Sequence, residues 1–547
     1  MQRHEQIAIH GFTLIVALVT WKHLALGPCF ADCGDLQLGA GTAGIMHPPG
    51  YAVYVTIGYL LSAIPGFGPA TTISLACWGS GLLAVQLALR LLLRLGGNVY
   101  LGIAALTLWL SELEVWIGFV SPEVYLPTIA LVLGATMLAC RFEDSRKTHF
   151  AWLAALCLGL AVASRPGVIL YLVGILPLVY GLVAGSKRRN ESTSDERDDT
   201  DPQQQITPEA SPGHPLVNIL IFGLCLAMPS VYAVTFTMIR DRESTTHNYI
   251  AEYNEAHGTL PANNSLGAGW ERVTWLMTGR EYADETAKTW TDVKRKWRWL
   301  RGRISMNRLS RAMPIVIGKT TVMVLLVGFG ICTAIALVAR RKESPVALSM
   351  LVGMAIGSFL YTMLYTVQGD GADIMPIGLS MMMLSCLGFS TLLRPDQSSK
   401  GMGISVVIAL SMIAFLVNDI YNRKASANYN DASAFLKEVD LQSLPENAII
   451  MCSWGKATPL WYAQAFEVSR DDIDVMRRAP VRWRELVVPT EANPNPERID
   501  DTRPIFSTGQ PPALDGFTVV PFRNLFRWVR QEASTPSPDQ ADSTESP

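Results

Sequence analysis

The feature that most constrains this chain is repetition of long apolar runs. A membrane-spanning helix needs roughly 20 predominantly apolar residues, and runs of about that length recur at 7–26, 72–94, 98–118, 122–140, 149–164, 167–184, 215–238, 314–338, 345–366, 376–393 and 402–420. Only helices or closed barrels can cross a bilayer, because lipid offers backbone N–H and C=O groups no partners. The runs are far longer than barrel strands, so the sequence predicts an all-α polytopic membrane bundle of about eleven spanning helices.

Composition agrees: with 49% hydrophobic residues, only 17% charged residues and a mean hydropathy of +0.24 over 547 residues, the chain is more apolar than an ordinary soluble protein. With a net charge of -2 and a pI near 6.5, no global basic field recruits nucleic acid. The nine cysteines form no CxxC pair and most stand singly in apolar runs, which gives no zinc or redox centre. Cys29 and Cys33 are the exception, either closing a small disulfide outside the cytoplasm or standing as buried thiols.

Basic residues cluster at alternate connections: Arg90 and Arg94; Arg141, Arg146 and Lys147; Lys187, Arg188 and Arg189; Arg340, Arg341 and Lys342; Arg394 and Lys400. By the positive-inside rule these ends are cytoplasmic, the N-terminus with them, and an odd number of spans puts the C-terminal region outside. The first run, which follows Arg3 and His4, reads as an uncleaved helix, since it is long enough to span and no convincing small-x-small site precedes Pro28.

Residues 1–424 are thus the expected membrane domain, with a first external loop at 27–71 and a second, larger one at 240–311. The segment 186–214 is acidic and polar and reads as a disordered cytoplasmic linker. The external loop 240–311 instead carries Trp270, Trp275, Trp290, Trp297 and Trp299, which suits short helices at the membrane surface. Its basic run Lys294–Arg298 would attract anionic headgroups or a carrier phosphate. Residues 425–530 regain soluble composition, with short strands at 448–452 and 517–520 and helices at 431–439 and 459–466, so a small α/β domain outside the cytoplasm is expected. The end, 531–547, reads as a disordered tail.

Chemistry is concentrated just after the first run, where Asp32-Cys33-Gly34-Asp35 precedes His47-Pro48-Pro49-Gly50-Tyr51. Carboxylates at i and i+3 share a face if a helix starts there, and beside a greasy cavity repulsion and desolvation split their pKa values. One of them could then take a proton from an acceptor hydroxyl. A plain cap or solvated pair is the competing reading. Ser121-Pro122-Glu123-Val124-Tyr125 and Trp275-Leu276-Met277-Thr278-Gly279-Arg280-Glu281-Tyr282 are further polar interruptions at the ends of apolar segments.

D-x-G-D followed by H-P-P-G-Y, Glu-Val-Tyr at the start of a span, and W-L-x-x-G-R-x-Y in this order resemble a GT-C type membrane glycosyltransferase family related to the animal transmembrane protein O-mannosyltransferase. The likeness covers residues 1 to about 170 well and the rest loosely. It implies a GT-C-like fold whose site faces away from the cytoplasm and a polyprenyl-phosphate sugar as donor. The resemblance maps an essential acid onto Asp32 and a second onto Asp35, where the family usually has Glu, one methylene longer.

Transfer from such a donor is displacement at the anomeric carbon, and one carboxylate base suits inversion. The leaving phosphate needs donors aimed at its growing charge: His47, Arg165 and Arg280 are the candidates, although Arg165 could simply snorkel to headgroups and His47 could simply hold its loop. Glu123, Tyr125 and Asp373 are candidates for the acceptor or for the cavity wall, Asp373 and its neighbour Asp370 having a solvated turn as alternative. A divalent cation bridging Asp32, Asp35 and phosphate is chemically compatible with hard oxygen ligands. The expected partners are membrane lipid, the lipid-linked donor and a protein, glycan or lipid acceptor. No Walker loop, HExxH, GxSxG or EF-hand pattern supports other chemistries. A flippase of lipid-linked sugars and a catalytically silent scaffold are the rival readings, and no internal repeat supports the former.

Overall fold

The computed structural model describes residues 2–183, 215–243, 245–285, 288–304, 330–339, 344–365, 374–392, 399–422, 431–477, 503–510 and 517–530. The expected linker and tail, most of the run 314–338, and Asp370 and Asp373 lie outside them. Contacts divide the chain into two compact units, Met1–Ala25 with Gly39–Tyr429, and Leu26–Leu38 with Asn430–Pro547. Composition alone draws one boundary near residue 425 and leaves the whole first loop with the helices. The structure instead divides that loop at Leu38.

The first unit is helical, and the chain is an integral membrane protein. Among the described residues six helices are long and apolar enough to cross a membrane: Pro69–Arg94, Tyr125–Ser145, Pro166–Val183, Pro215–Arg242, Pro345–Leu364 and Met375–Leu392. Arg3–Trp21, Thr148–Ser164 and Ser399–Asn422 occupy three more of the expected runs. The run expected at 98–118 is not one rod. It is Val99–Leu110 and Leu113–Val120, bent by 86°, and the break falls at Ser111-Glu112, where a carboxylate and a hydroxyl resist burial in hydrocarbon. The breaks at Ser121-Pro122 and at Arg165-Pro166 fall where the residue before proline is pushed out of the helical region, Arg165 taking φ -153°, ψ 102°.

Close packing is set by small residues. Gly174, Gly353 and Gly357 let Pro166–Val183 and Pro345–Leu364 touch by their backbones: a Cβ on Gly353 would lie 2.8 Å from Gly174 Cα, and one on Gly357 2.7 Å from the Leu170 carbonyl carbon. This is the small-xxx-small solution for helices that gain nothing from the hydrophobic effect in lipid. The large loop that begins near residue 240 is anchored by a buried ion pair, Arg272 to Asp241 at 2.6 Å, with Arg272 Nη1 also donating to the carbonyls of Pro261 and Asn263. Trp275, expected at the membrane surface, is instead buried against Tyr253.

The second unit is built on a five-stranded sheet in the order β2-β1-β3-β5-β4, where β1 is Ile449–Cys452, β2 Asp474–Arg477, β3 Ile505–Ser507, β4 Phe517–Phe522 and β5 Leu525–Arg530. β1 lies parallel to both β2 and β3, and all four of its residues are buried, as a central strand covered on both faces should be. Trp454–Phe466 is the crossover helix between parallel β1 and β2. β4 and β5 add an antiparallel hairpin at one edge. Burial of Cys452 pushes its thiol far above the ordinary range, so it is inert packing.

Residues 26–38 complete this unit. Ala432 N–H donates to the Pro28 carbonyl at 2.8 Å, Cys29 forms an isolated antiparallel bridge with Asp431, and Phe30 packs on Phe435 with ring centroids 5.5 Å apart. Gln37 closes the loop on itself, its Oε1 accepting from Cys29 N at 2.8 Å and its Nε2 donating to the Gly27 carbonyl at 3.0 Å. Cys29 and Cys33 are buried and not joined by a disulfide.

A leucine at Gly353 must drive the two helices apart, and overpacking of this kind costs about 1–3 kcal/mol. Gly353→Leu is therefore expected to lower the unfolding temperature of detergent-solubilised protein by several degrees, whereas Gly223→Leu, on open helix surface, is expected to leave it unchanged.

Candidate functional site

Asp32 lies in the first turn of the Ala31–Thr42 helix, a helix composition did not announce because its residues are small and half polar. Its side chain is exposed. Trp454 Nε1, at the start of the crossover helix, donates to Asp32 Oδ1 at 2.8 Å. The Arg477 guanidinium, at the end of β2, lies 4.3 Å from the centroid of the Trp454 ring, a cation–π contact that braces the indole. Asp32 is thus a surface carboxylate whose orientation is fixed by a neutral donor from an element 422 positions away.

Asp35 does not share that surface. It is fully buried, 0% exposed, in the run Cys33–Ala40 that faces inward without interruption. The shared open face expected from i, i+3 spacing is therefore not what forms: one acid meets solvent and the other the interior. Gly34 sits between them because nothing larger fits, a Cβ there lying 2.2 Å from the Cys29 carbonyl oxygen and 2.7 Å from Thr458 Oγ1.

The remaining predicted residues belong to the membrane unit, where two groupings form. In the first, the His47–Tyr51 loop meets the external-loop segments. Ile45 N–H donates to the His247 carbonyl at 3.0 Å and Tyr249 N–H to the Ile45 carbonyl at 2.9 Å. Gly50 adopts φ +86°, open to glycine and costly to other residues, and a Cβ there would lie 2.7 Å from Leu276 Cδ2. His47 is buried, its ring edge-on to Tyr51 at 5.2 Å. Tyr249 OH donates to Glu281 Oε2 at 2.6 Å. Segments around 47, 249 and 281 are thereby joined.

The second grouping surrounds Arg165, which is 8% exposed. Its Cζ lies 4.4 Å from the Tyr125 ring centroid and 5.4 Å from that of Tyr361. Gly167 makes room, since a Cβ there would lie 2.7 Å from the Tyr361 ring. Tyr361 stacks on Tyr365 at 5.3 Å, and Tyr365 meets Tyr282 edge-on at 6.4 Å. A chain of rings thus runs from the Arg165 guanidinium to the segment that carries Arg280. Arg280 itself is exposed, and Glu123 is half-buried two residues before Tyr125. A guanidinium held flat between aromatic faces is weakly hydrated and presents a planar fork of donors, which suits a phosphate or carboxylate.

Trp454, Arg477, Tyr361, Tyr365, Tyr249 and Glu281 are additions that sequence reasoning missed. Only Glu281 stood inside a recognised motif. The others carry no motif signal, because each meets its partner through tertiary folding and not through a local periodicity. Among the described residues no group of three His, Cys, Asp or Glu side chains is arranged to hold a metal, and Asp32 is exposed while Asp35 is buried.

No family model matches the chain. Over 153 residues it is 27% identical to Protein O-mannosyl-transferase TMEM260 of Mus musculus, a match covering 27% of this chain and 22% of the mouse protein. The match thus spans about a fifth of that relative's length. Among solved structures, ArnT from Cupriavidus metallidurans bound to undecaprenyl phosphate aligns with a TM-score of 0.49 and 11% identity over 95% of this chain and 98% of that one. An Archaeoglobus fulgidus oligosaccharyltransferase tethered to an acceptor peptide with an NVT sequon aligns with a TM-score of 0.41 and 12% identity over 91% and 69%.

Because Gly34 has a carbonyl oxygen where a methyl group would go, Gly34→Ala is expected to expel the 26–38 loop from its unit. Maleimide labelling read by peptide mapping should then rise at Cys29 and Cys33, both closed to reagent in the wild type, while labelling at Cys386 stays unchanged.

Proposed function

We propose that this protein is a GT-C type glycosyltransferase that moves a hexose, mannose in the first instance, from a polyprenyl phosphate to an acceptor outside the cytoplasm. The observation that carries this reading is the exposed Asp32 carboxylate, oriented by Trp454 in the loop whose motif resembles that of such enzymes. The short stretch of identity with an O-mannosyltransferase supports the same direction.

In this reading the acceptor hydroxyl oxygen attacks the anomeric carbon, the bond from that carbon to the carrier phosphate breaks, and the hydroxyl proton passes to Asp32. The bonding pair leaves with the phosphate. A single exposed acid on the Ala31–Thr42 helix suits single-step inversion, and Asp35 lies in the interior. Arg165, flanked by Tyr125 and Tyr361, is assigned to the phosphate, where charge grows as the bond breaks. His47 and Arg280 are assigned supporting roles toward the donor, and Glu123 toward the acceptor. The acceptor itself is a protein hydroxyl, a glycan or a lipid.

The deciding experiment compares wild type with Asp32→Asn, both verified as folded, after reconstitution with radiolabelled polyprenyl-phosphate-mannose and an acceptor membrane extract. A general base contributes about 10²–10⁴ in rate, so Asp32→Asn is expected to abolish measurable transfer. Equal transfer by both would sink the assignment, and label crossing the bilayer without transfer would favour a flippase.

Trp454→Phe, which keeps the ring and loses the N–H, is expected to lower kcat about tenfold, the equivalent of one hydrogen bond to a charged group. The donor KM and the unfolding temperature should not move; a change in KM alone would remove Trp454 from the chemistry.

A further inference from the structure

The helix Trp290–Ile304 in the large loop takes part in none of the chemistry above. Its sequence places Trp290, Val293, Trp297, Leu300 and Ile304 three or four residues apart, one apolar stripe, and fills the intervening positions with Lys294, Arg295, Lys296, Arg298, Arg301 and Arg303 against a single acid, Asp292. Such a helix is too charged to enter hydrocarbon and too apolar along one side to stay in water.

The structure shows what Trp297 of this stripe meets. Trp297 meets Phe359 edge-on, ring centroids 6.3 Å apart. Phe359 belongs to the last two turns of Pro345–Leu364, where Ile356, Phe359, Leu360 and Leu364 are 38–55% exposed. Four large apolar side chains together on a spanning helix form a face for lipid, since a patch of that kind is not tolerated in water. Trp297, itself 47% exposed, and Trp290, 70% exposed, extend that face at the end of the span, the level at which indoles settle in bilayers. Lys294 and Arg298 are exposed beside them, and Arg295 pairs with Asp292.

We propose that Trp290–Ile304 is an interfacial helix that docks on the bilayer surface and takes anionic phospholipid headgroups as its partner. The indoles enter the headgroup boundary while Lys294 and Arg298 reach to the phosphates. The helix thereby fixes the height of the external loop, including the Trp275–Tyr282 segment, relative to the membrane. This assignment stands independently of the glycosyltransferase reading, because it concerns the bilayer and not the donor.

The test uses the full-length protein in mild detergent with equal amounts of phosphatidylglycerol and phosphatidylcholine, the retained lipid being counted by native mass spectrometry. Wild type is expected to retain phosphatidylglycerol preferentially. Each basic residue near an anionic surface is worth about fivefold, so Lys294→Gln with Arg298→Gln should cut the preference tenfold or more, while Lys294→Arg with Arg298→Lys should keep it. No preference in the wild type, or an unchanged preference in the neutral double variant, would overturn the proposal. Retention of added undecaprenyl phosphate but not phosphatidylglycerol would overturn it too, giving the basic face to the carrier. As a second reading, acyl-brominated lipids should quench wild-type fluorescence more than that of Trp290→Phe; equal quenching removes Trp290 from the bilayer.

Discussion

Hydrocarbon cannot hydrogen-bond a peptide group, and every irregularity in the membrane unit follows from that constraint. Where a helix ends within or near the bilayer, its freed N–H and C=O groups must find protein partners or water. The chain places its polar and proline-bearing interruptions there: Ser111-Glu112, Ser121-Pro122 and Arg165-Pro166. These three breaks are also where Glu112, Glu123 and Arg165 stand. Charged groups thus lie at the ends of helices, where their solvation costs least, instead of at mid-span. The close crossing of Pro166–Val183 with Pro345–Leu364 through Gly174, Gly353 and Gly357 then brings Tyr361 to Gly167, beside Arg165.

Aromatic rings serve as the insulation for that charge. A guanidinium 8% exposed needs compensation, and Tyr125 and Tyr361 supply ring faces on which its delocalised charge is favoured. Because Tyr361, Tyr365 and Tyr282 continue the contact, the position of Arg165 is tied to that of the external loop. The Asp32 arrangement follows another logic. There the unit built on the sheet provides an indole donor, and the Arg477 guanidinium lies over the indole ring.

The spanning runs were legible in the sequence because length and hydropathy alone decide them, as Tyr125–Ser145 and Pro215–Arg242 illustrate. The strands at Ile449 and Phe517 and the helix ending at Phe466 were legible from their alternation and apolar runs. The bend at Ser111 was not, since one carboxylate within twenty apolar residues fails to break a hydropathy pattern. Nor was the burial of Asp35: the spacing says that two acids share a helical face but not which packing surrounds it. The pairing of Asp32 with Trp454 lay wholly beyond local reading. No periodicity connects positions so far apart, and only the folded sheet brings the crossover helix to the first loop.

That separation has a consequence for how the protein comes into being. Asp32 leaves the ribosome 422 positions ahead of Trp454, and Asp431, Ala432 and Phe435, which also seat residues 26–38, are likewise made long after them. At the usual pace of synthesis, about 5–20 residues per second, the acidic loop waits on the order of tens of seconds with Phe30 and its two thiols uncovered. The sheet-bearing segment therefore acts as the keystone of the nascent chain: until it is laid, the Asp32 carboxylate lacks the indole that orients it.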